Sequence, residues 1–165
     1  MADRGSTVYL EYVKEQVTEQ DERKDSIEKR GLAVITSSGT IVSLLFALVA
    51  ILTGVDKYEL PNGAEPWLGI ALGAFAISSL AGILTNAPLR YRSVEASELR
   101  KATRKFWGDS PDKAEKRVAV TEVEVLETAK SINTIKAWIL VAAIGFQLLA
   151  VICLALAIRV ILVHA

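Results

Sequence analysis

Apolar and polar positions do not alternate along this chain; they separate into blocks. Three stretches lack any charged side chain: 31–55 (GLAVITSSGTIVSLLFALVAILTGV), 66–89 (PWLGIALGAFAISSLAGILTNAPL) and 137–158 (AWILVAAIGFQLLAVICLALAI). At about 1.5 Å of helix rise per residue, each exceeds the roughly 30 Å hydrocarbon core of a bilayer. A buried helix of a water-soluble domain usually has a shorter apolar run, about 10 to 14 residues. The pattern therefore predicts an all-α integral membrane protein with three transmembrane helices. Pro66 suits the first turn of the second helix, and Trp67 and Trp138 suit membrane-interface anchors, as does Arg159, whose stem can snorkel to the headgroups. The resulting division is an N-terminal helical segment 1–30, spans at 31–55, 66–89 and 137–158, a short loop 56–65, a helical insert 90–136 and a tail 159–165.

The polar segments have periodicity of their own. Residues 8–30 contain no Gly or Pro and predict a helix that runs into the first span. Its heptad seam is Leu10, Val13, Val17, Gln20, Lys24 and Ile27, interrupted by two polar residues. Either the facing surface is polar there or the helix is loosely packed. Pro88 is expected to kink the chain as it leaves the second span. A helix over 93–107 follows, with Val94, Leu99, Ala102 and Phe106 on one side, broken by the sequence GDSPD. Ser110 then suits an N-cap, with Pro111 and Asp112 in the first turn of another helix. An inward stripe of Ala114, Val118, Thr121, Val125, Thr128 or Ala129, Ile132 and Ile135 would carry that helix into the third span. The Val-rich run 118–126 also fits a short strand, but no second strand offers to pair with it. Three helices of this kind form a stalk beside the membrane.

Charge sets the expected orientation. Of the 19 Lys and Arg residues, six precede the first span and eleven lie in 90–136, against only Lys57 and Arg159 elsewhere. The positive-inside rule then places the N-terminus and the stalk in the cytoplasm and the C-terminus outside, in a multi-pass arrangement in the cell (plasma) membrane. Thirty mostly polar residues of both charge signs precede the first span, which reads as a retained anchor and not as a cleaved signal.

Within the spans, small and polar residues are the informative ones. Gly69 and Gly73 form a GxxxG pair, and Ala74, Ser78 and Gly82 repeat the interval on a neighbouring face; Gly39, Ser43 and Ala47 do the same in the first span. Such rows let helix backbones approach closely, either within one chain or between copies. Gln147, mid-span, is expected to hydrogen-bond to another helix or to water. The hydroxyls of Thr36, Ser37, Ser38 and Thr40 are expected to bond back to carbonyls of their own helix.

Candidate chemistry is sparse. The chain has one His, one Cys and zero formal net charge, and it lacks a phosphate loop, a GxSxG elbow and a metal-ligand motif. Neither a catalytic triad nor a cofactor or metal site can be assembled, and nucleic acid is an unsuitable partner. Cys153, mid-span, reads as an inert small hydrophobe. No charge lies within a span to couple ion transport, and three spans are too few to enclose a transport path in one chain.

The segment DSIEKRGLA at 25–33, a tight outer loop, a helical insert and the Asn133-x-x-Lys136-Ala137 entry to the last span together resemble the small membrane-spanning effectors of bacterial anti-phage systems, the Pycsar-type transmembrane effectors and the SLATT group among them. The resemblance covers the layout of most of the chain. It implies an effector that assembles in the inner membrane on a signal, whether a nucleotide or a partner protein, and impairs membrane integrity. The expected function is thus a non-enzymatic membrane protein that forms homo-oligomers in the lipid bilayer; the alternative is a scaffold subunit whose stalk docks a soluble partner.

Overall fold

The structure, a computed structural model, describes residues 3–53, 60–88 and 96–164. The expected span ends at 54–55 and 89, the loop positions 56–59 and the expected helix start at 93–95, Val94 included, lie outside the described residues. The described residues form four helices: α1 Asp3–Thr53, α2 Glu65–Asn86, α3 Ala96–Phe106 and α4 Pro111–His164. Among the described residues there is no strand, and 118–126 is helical within α4. Three helices, α1, α2 and α4, are long and apolar enough to cross a membrane.

Local chemistry explains the boundaries. α2 starts with Pro66 in its first turn, after a turn in which Ala64 N–H donates to the Pro61 carbonyl (2.8 Å). It ends at Asn86 and is not kinked further on: Ala87 is extended (φ −61°, ψ 136°), the conformation that a following proline, Pro88, imposes on its neighbour. α4 begins at Pro111, and the Ser110 carbonyl accepts from Lys113 N–H (3.0 Å) and Ala114 N–H (3.1 Å), as an N-cap residue's carbonyl does.

The chain divides into two compact units, Met1–Ser26 with Pro88–Ile135, and Ile27–Ala87 with Lys136–Ala165; α1 and α4 contribute residues to both. In the second unit the apolar part of α4 runs parallel to that of α1 and α2 runs antiparallel, because Ser37 meets Gln147 while Gly31 meets Gly82 and Thr85. One core cluster joins Ile27, Val34, Leu140 and Ala143, packed by Ala81 and Ala137. Another joins Ala74, Phe75 and Ala150, packed by Ile41, Val42 and Leu45. Apart from these few larger side chains, Lys136 and Cys153, the buried residues are Ala, Gly, Ser and Thr, while Leu44, Phe46, Leu80, Leu148 and Ile152 point outward, each more than half exposed. A water-soluble bundle would bury the large side chains; a lipid-facing one has no need to.

The first unit is built on the facing seams of α1 and α4. Leu10, Val13, Val17 and Lys24 are half-buried and Gln20 is buried, the heptad positions read from the sequence, and Ile27 continues them buried in the second unit. Opposite, α4 turns inward Ala119, Glu122, Leu126, Ala129 and Asn133. Val125 and Ile132 are half-buried, as expected, but Val118 is 46% exposed and Ala114, Thr121 and Ile135 are also outward. Ala129, another expected position, is buried; the stripe is only partly the expected one because two of the five inward residues, Glu122 and Asn133, are polar and escape apolar spacing. Phe106 is half-buried, and the side chain of Leu99 lies outside the described ones.

Candidate functional site

Three helices that cannot use a hydrophobic drive must hold one another by close contact and by internal polar bonds, and both are concentrated along one line in the second unit. The closest approach is between Gly31 on α1 and Gly82 on α2. A Cβ on Gly31 would overlap the Thr85 hydroxyl and come 3.2 Å from the Gly82 carbonyl; one on Gly82 would come 3.1 Å from the Gly31 carbonyl and 2.9 Å from Ile35 Cγ1. The Gly82 carbonyl also accepts from Thr85 Oγ1 (2.7 Å) and Asn86 Nδ2 (3.1 Å). Next along α2, buried Ser78 donates from Oγ to the Ala143 carbonyl of α4 (2.7 Å). Gln147 Nε2 donates to Ser37 Oγ (2.6 Å), which itself donates to the Val34 carbonyl (3.1 Å).

At one end of this line is an ion pair that joins α1 to α4. Lys136 Nζ lies 2.7 Å from Glu28 Oε1; the lysine side chain is 0% exposed and the glutamate 30%. The cation is enclosed by the bundle, and its carboxylate partner opens outward. The first unit has a polar joint of the same kind: Asn133 Nδ2, buried, donates to the Gln20 carbonyl (2.8 Å) and to Gln20 Oε1 (3.3 Å). The facing surface is thus polar where the seam is interrupted.

The hydroxyl cluster divides. Thr36 and Thr40 bond back to the Leu32 and Thr36 carbonyls, and Ser43 to Gly39. Ser38 differs: its Oγ is buried with no hydrogen-bond partner. The rows of small residues divide as well. Ala74, Ser78 and Gly82 are buried in the bundle. Gly69 and Gly73, and on α1 Gly39, Ser43 and Ala47, are exposed, and nothing lies within 4 Å of where a Cβ on any of these three glycines would be. Trp67, Trp138 and Arg159 are exposed, and Cys153 is buried.

Sequence reasoning quoted Glu28, Gly31, Asn133 and Lys136 for the resemblance but read neither the pairing of Gln20 with Asn133 nor that of Glu28 with Lys136. Their signal was present: two polar residues at seam positions of α1 require polar partners, and the Asn133-x-x-Lys136 spacing supplies one helix ridge. A third polar feature belongs to the α3–α4 hairpin of the first unit. The Arg117 guanidinium lies 3.8 Å over the Phe106 ring, and its Nε donates to Asp109 Oδ2 (3.2 Å). Lys113, Lys116, Val120 and Ala102 complete a groove of about 500 Å³ around them.

Among the described residues no three His, Cys, Asp or Glu side chains come together as metal ligands would. The arrangement can lock helices against one another and present outward faces; it brings no nucleophile to a base. The chain matches no known protein family, no curated protein and no solved structure.

Proposed function

We propose that this chain is a non-enzymatic, three-span protein of the bacterial plasma membrane that works by assembling with copies of itself and perturbing the bilayer, as the anti-phage effectors it resembles are expected to do. The observation that carries this reading is the division of the small-residue rows. The bundle uses Ala74, Ser78 and Gly82 for its own packing and leaves Gly69/Gly73 and Gly39/Ser43/Ala47 open. Rows of this kind are a means of close helix contact in lipid; these are exposed, and a Cβ at Gly39, Gly69 or Gly73 would meet nothing within 4 Å. The Lys and Arg distribution supports a cytoplasmic N-terminus and stalk and an external C-terminus.

The test is regulated expression in bacteria with a membrane-potential dye. Wild type is expected to depolarise cells and arrest growth, and Gly73→Ile to abolish both while remaining membrane-inserted. Because position 73 has no neighbour within the chain, its loss of effect reports on contact between copies. Depolarisation by Gly73→Ile equal to wild type would remove this face from the reading. A second reading, a scaffold whose stalk docks a soluble protein, is favoured by Trp107, 83% exposed, since large exposed aromatics anchor interfaces. It predicts a co-purifying cytoplasmic protein that Trp107→Ala releases.

A further inference from the structure

In the first unit α4 carries two heptad seams, one residue apart in the sequence and so about 100° apart around the helix. The inward one, on which α1 packs, runs Ala119, Glu122, Leu126, Ala129 and Asn133, and two of its five residues are polar. The other runs Val118, Thr121, Val125, Thr128, Ile132 and Ile135, in alternating steps of three and four residues and with no charged side chain. Val118, Thr121 and Ile135 are exposed, and Val125, Thr128 and Ile132 are half-buried. The two threonine hydroxyls donate back to the carbonyls of Arg117 and Glu124 (both 3.0 Å), so this seam asks for no polar partner. The chain thus packs α1 on the seam that contains polar residues and leaves the more apolar one open. The groove around Arg117 and Val120 lies about 80° to the other side of the open seam. A further helix can approach between α1 and that groove without displacing either.

Residue type and depth decide the occupant. The three-residue step from Val118 to Thr121 makes Val118, Val125 and Ile132 the a positions of the heptad and Thr121, Thr128 and Ile135 the d positions. β-Branched residues at a suit a parallel coiled coil of two strands. A second copy in the same membrane presents its α4 parallel to the first and at the same depth, so every a residue can meet its own counterpart. The flanking charges agree with that register. Arg117 at g, its side chain still 54% exposed beside Asp109, comes opposite the partner's Glu122 at e. The next couples, Glu124 with Ala129 and Ser131 with Lys136, bring no like charges together. We infer that two copies join through residues 118–135 of α4 as a parallel, in-register coiled coil, related by a two-fold axis along the membrane normal. The seam is about 27 Å long. The bilayer holds both copies at one depth and orientation, so the contact forms at a higher effective concentration than between free helices. The inference rests on the self-association proposed above and gives it a symmetry and a contact outside the spans.

The test uses the full chain with Cys153→Ser, adds one cysteine at a time, and oxidises bacterial membranes with copper phenanthroline. A disulfide needs Cα atoms within about 7 Å, so disulfide-linked dimer should form at Val118→Cys, Val125→Cys and Ile132→Cys. At Glu15→Cys and Val123→Cys, exposed but on other faces, about tenfold less is expected. Native mass spectrometry in dodecyl maltoside gives a second measure. Val118→Lys with Val125→Lys should associate about tenfold more weakly or worse, whereas Val125→Asn should keep the dimer, because a single Asn at an a position is compatible with a parallel pair. Equal linkage at all five cysteine positions, or a dimer unmoved by the paired lysines, would overturn the inference. Linkage at Gly73→Cys with none at the three seam positions would overturn it and leave membrane-face assembly standing. A soluble protein bound by wild type and released by the paired lysines, with no seam linkage, would overturn it in favour of the scaffold reading. A chain that links nowhere and is monomeric at every concentration would overturn self-association itself. Seam linkage retained by a Gly73→Ile chain that no longer depolarises cells would support this contact independently of the membrane face.

Discussion

Lys136 stands one residue before an apolar block, and its ammonium group is enclosed by the bundle with a carboxylate at 2.7 Å. Its two partners in the pair are not equivalent. Glu28 retains partial exposure to solvent, whereas the Lys136 side chain has none. Glu28→Ala is therefore expected to destabilise the solubilised protein by about 3 kcal/mol, toward the lower end of the range for breaking a buried pair, and Lys136→Met by distinctly less. Thermal unfolding in detergent checks the ranking, and the reverse order would contradict the asymmetry. The sequence made the polar joints only partly legible. Gln147 was expected to find a partner on another helix and does so in Ser37, and the polar positions of the α1 seam pointed to a polar surface opposite. Lys136 was read as a flanking charge that sets orientation, because periodicity arguments stop where the apolar block starts and a side chain of its length can turn inward across that border.

At the level of the helix, size matters more than polarity. Gly82 and Gly31 meet backbone to backbone, and Gly69 and Gly73 meet nothing in the chain. Gly82→Leu should cost at least about 1–3 kcal/mol as an overpacked contact, and Gly31→Leu likewise, while Gly69→Leu should leave the bundle's own stability within about 0.5 kcal/mol of wild type. Limited proteolysis of the detergent-solubilised variants distinguishes these, and early cleavage of Gly69→Leu would show a contact inside the chain that the structure lacks. The four-residue interval revealed all these rows in the sequence, but spacing has no sense of which face meets a neighbour. The same limit explains Val118: apolar periodicity found the helix and the inward placing of Val125, Ala129 and Ile132, but passed over Glu122 and Asn133, which are polar and also turn inward. Helix boundaries were clearer, since Pro66, Ser110 and Pro111 act on their own backbone and need no tertiary partner.

For the molecule as a whole, the all-helical fold with three bilayer-length helices could be read almost directly, because chemistry alone sorts apolar from charged segments along the chain. Orientation rests on the uneven distribution of 19 basic side chains. Reporter fusions to the C-terminus should be active only in a probe that works outside the cytoplasm, and activity of a cytoplasmic reporter at that end would reverse the proposed topology. The interior of small side chains has a last consequence for how such a sequence can drift. Inside, an added methyl group at Gly31 or Gly82 meets a backbone, so there the permitted alphabet is bounded by volume. Outside, Leu, Ile, Phe and Val contact only the surrounding solvent, so shape is free and only hydropathy is constrained. Two chains of this kind could share nearly every inward residue and few outward ones, and their common ancestry would be recorded in the residues with the least side chain to compare.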